Sequence, residues 1–171
     1  MFISRKVIIL LIVLLSLTTI IFLGYERRST SYEKLMPVDF NFSATIDFEA
    51  YTLDSYNNTL VKQFDWERDT LITFHVKKEF KEKIYSILRD IDIYKYPENF
   101  APTSTTNILP YSPYYFKFTM DSITTSLNWI ENTNSEIKDA KKLRTLFIEI
   151  RDYIEQDKRA DTLPEDKRAF L

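Results

Sequence analysis

The sequence predicts an α+β fold: a two-layer sandwich in which a five-stranded antiparallel sheet carries two amphipathic helices on one face, preceded by one N-terminal transmembrane helix. Three observations predict it. Residues 7–23 contain no charge, five later stretches alternate apolar and polar residues with period two, and two more repeat apolar residues with the helical period. The resulting order, βββαββα, gives a sheet with one face to cover and two helices with a stripe to bury, and stacking one layer on the other satisfies both.

Fourteen of the seventeen residues in 7–23 (VIILLIVLLSLTTIIFL) are Val, Ile, Leu or Phe. At roughly −0.3 to −0.6 kcal/mol per large apolar residue, they favour insertion by about −4 to −8 kcal/mol. As a helix the run is about 26 Å long at roughly 1.5 Å per residue, the short end of what crosses a core of about 30 Å. A cleaved signal needs small residues at its cut, and Phe22 stands two before Gly24. A lipoprotein needs a lipid-bearing cysteine, and the chain has none. The expectation is an uncleaved anchor over residues 1–24, with secretion as the alternative if this segment is removed. Arg5 and Lys6 before the span, against Glu26, Arg27 and Arg28 after it, favour a cytoplasmic N-terminus, with the bulk of the chain extracytoplasmic.

Residues 25–38 read as a polar linker and residues 39–157 as the α+β domain. From Phe40, Phe42, Ala44, Ile46, Phe48 and Ala50 alternate with polar residues as one continuous strand, ended by the turn cluster 54–58. Leu60, Phe64 and Trp66 mark the second strand, and Ile72, Phe74 and Val76 the third. Phe80, Ile84, Ile87, Leu88 and Ile91 then fall on one helical stripe, stopped by Pro97. Residues 98–113 contain Pro102, Pro110 and Pro113 and read as a long irregular loop. Tyr114, Phe116, Phe118 and Met120 share a strand face opposite Tyr115, Lys117 and Thr119; after the turn Asp121-Ser122, Leu127 and Trp129 continue the apolar side. Ser135 is a helix cap for the stripe Ile137, Ala140, Leu143, Phe147, Ile150 and Ile154. Residues 158–171 read as a charged tail that packs little.

Composition narrows the chemistry. Beyond residue 24 stand 21 basic and 25 acidic residues, a formal charge of −4, which argues against a nucleic-acid partner. The lack of cysteine removes disulfides, thiol catalysis and thiolate metal sites. Gly24 is the single glycine, so phosphate-cradling loops and nucleophile elbows have no residue to build them, and turns must rely on Asn, Asp, Ser and Pro.

Leu71-Ile72-Thr73-Phe74 ahead of a helix with Lys83-Ile84-Tyr85, Tyr96-Pro97-Glu98-Asn99-Phe100, a strand ending at Trp129, Leu143-Arg144, and Leu163-Pro164-Glu165 together resemble a loosely defined group of small uncharacterised exported or membrane-anchored proteins and lipoproteins of Gram-positive bacteria. The resemblance runs from Phe40 onwards. It implies export and assigns no activity, and it transfers no site residue. Many members bear a lipidated cysteine; here the apolar span takes over anchoring.

Candidate chemistry is sparse. His75, the single histidine, falls on the polar side of its strand. Asp65, Glu67 and Asp69 alternate around a turn without EF-hand spacing. Asp47 and Glu49 share the wet face of the first strand, about 7 Å apart by strand geometry, and offer a carboxylate pair for glycan hydrolysis. The loop 101–113 brings Tyr111 together with Tyr114 and Tyr115, and tyrosines at an irregular edge suit partner contacts or stacking on sugars, although Tyr114 also falls on the core face. We assign no catalytic, metal or cofactor residue. The expected function is a non-catalytic binding or accessory module of the bacterial cell envelope, held in the membrane by residues 7–23 and meeting a protein or envelope partner. The alternatives are a carboxylate-dependent envelope hydrolase and an inhibitor or immunity-like protein. A hydrolase is expected to show a concave site with two carboxyls on the open sheet face; a binding module, a flat tyrosine-bearing surface.

Overall fold

The alternating stretches form one sheet and the two helical stripes form two helices over it. The computed structural model describes residues 35–65, 67–101, 112–131 and 137–168. The predicted anchor at residues 7–23 and residues 25–34 of the linker lie outside the described residues. No helix among the described residues is long and apolar enough to cross a membrane.

The strands are β1 (Asn41–Ile46), β2 (Tyr51–Asp54), β3 (Thr59–Gln63), β4 (Asp69–Thr73), β5 (Asn99–Phe100), β6 (Ser112–Met120) and β7 (Ile123–Glu131). The helices are α1 (Lys78–Asp90) and α2 (Lys138–Glu155), with short 3-10 turns at Ile93–Lys95 and Ala160–Thr162. In space the strands run β4-β3-β2-β1-β6-β7-β5. Every pairing is antiparallel except the short one between β5 and β7, where Phe100 lies opposite Trp129. The α+β architecture stands, but the sheet has seven strands and is mixed, not five and antiparallel.

The first extra strand arises where the predicted first strand breaks in two. After Ile46 the chain reverses through Asp47, Phe48 and Glu49, all left-handed, with φ of 53°, 55° and 64°. Phe48 and Ala50 keep up the alternation through this turn, so periodicity does not reveal it. Such a run costs non-glycine residues roughly 1–2 kcal/mol each, and the fold offsets it with specific bonds. Ala50 N donates to Asp47 O at 2.9 Å, and Gln63 N donates to Ala50 O at 2.8 Å. The guanidinium of Arg168 donates to Phe48 O at 2.8 Å. It is held in turn by Asp166, through Nε to Oδ1 at 2.9 Å and Nη2 to Oδ2 at 2.7 Å, with its side chain 1% exposed. The second extra strand, β5, has two residues, too few to show any period.

The C-terminal segment therefore packs, against the expectation that it would not: Arg168 pins the turn, Leu163 is buried, and Lys167 N donates to Phe64 O at 2.9 Å. The other reversals follow the glycine-free prescription. The β6–β7 hairpin turns on Asp121 and Ser122 at φ 53° and 64°, its Ser122 N–H donating to the Asp39 carboxylate at 2.6 Å. Helix α1 ends before a left-handed Asp92. Helix α2 begins at Lys138 after Ile137, which supplies no side-chain cap; the predicted cap, Ser135, lies outside the described residues.

One face of the sheet is buried by both helices. Phe42, Ala44, Ile46, Leu53, Leu60, Phe116, Phe118, Leu127 and Trp129 meet Phe80, Ile84, Tyr85 and Leu88 of α1 and Ala140, Leu143, Leu146, Phe147, Ile150 and Ile154 of α2. Aromatic rings carry much of this contact: Phe147 lies 5.4 Å from Trp129, 4.5 Å from Tyr114 and 6.1 Å from Phe116 between ring centroids. Phe116 lies 5.8 Å from Phe42 and Phe80 stacks on Tyr153 at 3.7 Å, so the rings run from one helix through the sheet towards the other.

Replacing Arg168 by Ala strips the left-handed turn of its anchor and leaves Phe48 O without that donor. We expect a loss of about 1.5–3 kcal/mol, the range for hydrogen bonds to charged groups, read as a lower midpoint in denaturant unfolding with an unchanged slope.

Candidate functional site

Two surfaces concentrate polar groups: a cleft at one end of the sheet and the face of the sheet that the helices leave open. The cleft forms where the ends of β1 and β7 and the start of β6 meet α2, and its volume is about 190 Å³. From α2 it takes Arg144, Phe147, Ile148 and Arg151, positions that fall on one helical stripe by their spacing of three, four and seven. The left-handed turn contributes Asp47, the last residue of β7 contributes Glu131, and β6 contributes Tyr114.

The charges here are unevenly satisfied. Arg144 Nε donates to Glu131 Oε1 in a tight, largely buried ion pair. Its Nη2 is buried with no hydrogen-bond partner among the described residues, as is the Nε1 of Trp129. Arg151 approaches Asp47 only to 3.9 Å, an ion contact too long for a hydrogen bond. Burial pushes the Asp47 carboxyl above its ordinary 3.8; Arg151 pulls it back, while Glu155 and Glu131 add to the rise.

The open face is different in kind. Across neighbouring strands, Thr52, Thr45, Tyr115, Asn128 and Asn99 stand in one row. Hydrogen bonds order this row: the Thr45 and Thr52 hydroxyls lie 3.0 Å apart, and Asn128 Nδ2 donates to Asn99 Oδ1 at 2.9 Å. Four residues further along β6, beyond Lys117, the Thr119 hydroxyl is 2.8 Å from Tyr56 Oη and 2.9 Å from the Thr124 hydroxyl. Tyr115 rises from the row 43% exposed and borders two shallow depressions, of about 120 and 440 Å³.

The three tyrosines singled out in the sequence do not gather into one site. Tyr111 lies outside the described residues. Tyr114 is buried and stacks on Trp129 at 5.0 Å, and Tyr115 points to the opposite side of the same strand. The Asp47–Glu49 pair also fails as a strand pair, because the strand ends at Ile46 and both residues sit in the left-handed turn, Glu49 exposed. His75 is exposed. Asp65 is engaged by Arg68, and no group of three His, Cys, Asp or Glu side chains is placed to hold a metal among the described residues.

Sequence reasoning missed Glu131, Arg144 and Arg151. The available signal was faint: Glu131 keeps the inward register of Leu127 and Trp129, which marks a carboxyl entering the core, and Arg144 lies beside the apolar stripe of α2. No family model matches the chain, and no curated protein or solved structure matches it.

A carboxyl held above its unfolded value favours folding when protonated, and that contribution is lost as pH rises through the raised value. Asp47→Asn is therefore expected to be more stable than the parent at about pH 7, with the difference closing at about pH 3, where both states are protonated. Thermal unfolding at the two pH values checks the sign.

Proposed function

We propose that the chain is a membrane-anchored extracytoplasmic domain, tethered through residues 7–23, that acts as a non-catalytic binding or accessory module of the bacterial cell envelope. The observation that carries this reading is the open sheet face, ordered by hydrogen bonds and rich in hydroxyls and amides, with Tyr115 exposed on it. Hydroxyls and amides already fixed by their neighbours meet a partner with little further loss of side-chain freedom, and an exposed tyrosine supplies apolar area with a polar tip. The apolar run before the domain and the resemblance to small exported proteins of Gram-positive bacteria support the address. An inhibitor or immunity-like role is one form such a binding module takes.

The hydrolase reading draws on a separate observation: Asp47 and Glu131 line one cleft, and burial raises Asp47, as a general acid requires. The cleft lies at the sheet end and not on the open face, and each carboxyl there is opposed by an arginine. For this reason we favour binding over turnover.

Fractionation of cells carrying the full-length chain is expected to place it with membranes, extractable by detergent, and protease added to intact protoplasts is expected to digest the domain. Recovery in the detergent-free soluble cytoplasm overturns the address. With detergent-solubilised full-length protein as bait, Tyr115→Ala is expected to lower capture of envelope material about tenfold, as for loss of an interface residue worth above 1 kcal/mol. Turnover of purified wall polymer that disappears in Glu131→Gln decides for the hydrolase.

A further inference from the structure

The cleft at the end of the sheet holds groups whose hydrogen-bonding needs point to a ligand. Asp47 accepts no side-chain hydrogen bond among the described residues; its nearest cation, Arg151, stops at 3.9 Å. Among the described residues Arg151 in turn makes only long ion contacts, to Asp47 and, at 4.0 Å, to Asp152. Arg144 spends its Nε on Glu131 and keeps a buried Nη2 without an acceptor. Among the described residues the Arg151 guanidinium thus lacks a close acceptor and the partly buried Asp47 carboxyl a close donor, around a space of about 190 Å³. A buried polar group left unpaired costs about 1–3 kcal/mol, so a molecule that supplies both kinds of partner is recognised on two sides at once. Phe147 and Ile148 give the remaining wall its apolar part, beside the ring of Tyr114.

We propose that this cleft binds a small free α-amino acid with a short apolar side chain. The carboxylate accepts from the guanidinium of Arg151, the ammonium donates to Asp47, and the side chain lies on Phe147 and Ile148. The volume suits a molecule of a few heavy atoms. The proposal does not depend on the tether or on the open sheet face, since its residues belong to the sheet end and to α2.

The test uses the full-length protein in detergent micelles with isoleucine methyl groups labelled for NMR; the Ile148 signal is identified by its absence in Ile148→Val. Alanine, as separate L and D samples, is the probe, with propionate (no ammonium) and alaninamide (no carboxylate) as controls. Either enantiomer of alanine is expected to shift the Ile148 methyl saturably, and each control to bind at least tenfold more weakly. Asp47→Asn and Arg151→Gln are each expected to weaken alanine binding tenfold or more, with Lys117→Gln, on the opposite face of the sheet, leaving it unchanged. No saturable shift at tens of millimolar alanine overturns the proposal, as does equal binding of alanine and propionate. The analogue series needs only the parent protein, so a variant that fails to fold leaves the decision intact.

Discussion

The aromatic packing between sheet and helices is the constraint on which the other features rest. Phe147 touches Tyr114, Phe116 and Trp129 at once, and this fixes α2 in rotation about its axis and not only in distance from the sheet. Arg144 and Arg151 share the helical stripe of Phe147, so the packing that seats one ring also aims two guanidiniums at the sheet end. The charged cleft is thus an outgrowth of the core: its geometry is as well defined as the ring contacts beneath it, although no glycine or disulfide reinforces it. Close packing of this kind transmits small changes of volume, so substitutions at Trp129 or Tyr114 alter the cleft without touching its charges.

Much of the fold was legible because burial imposes periods. The stripe of α1 and that of α2 were readable from spacing alone, and the opposite fates of Tyr114 and Tyr115 follow from strand alternation at adjacent positions. The reversal at Asp47, Phe48 and Glu49 was not legible, since its cause is remote: Arg168 stabilises the left-handed backbone from the far end of the sequence, and no local residue announces it. The same holds for β5, whose two residues owe their strand geometry to β7, and for Glu131, whose burial depends on Arg144 arriving from another element. Features decided within a turn or two of chain could be read; those decided by a partner far along the chain could not.

The two polar surfaces differ in the ligands that their physics admits. The open face presents hydroxyls, amides and one exposed ring over an extended area, with its hydrogen-bonding groups tied to each other. It suits something broad that gains from many weak contacts. The cleft is small, charged in both senses and partly buried, and it suits something compact that carries opposite charges of its own. A domain that holds both on one sheet can present a large partner at the face and a small one at the rim without the two competing for residues.

The strand order has a further consequence, for the sequence of events in folding. β1 sits at the centre of the sheet with a local neighbour on one side, β2, and a distant one on the other, β6. A hairpin such as β1–β2 closes in about 1–10 μs, but the second edge of β1 stays bare until the chain has delivered β6 from beyond α1, a pairing slowed by the larger loop that it must close. During that interval β1 exposes unpaired amides and a Phe42–Ala44–Ile46 face, the combination that recruits stray strands. Synthesis from the N-terminus lengthens the wait, so it is the half-made meander, and not the finished domain, that leaves this edge open to stray pairing.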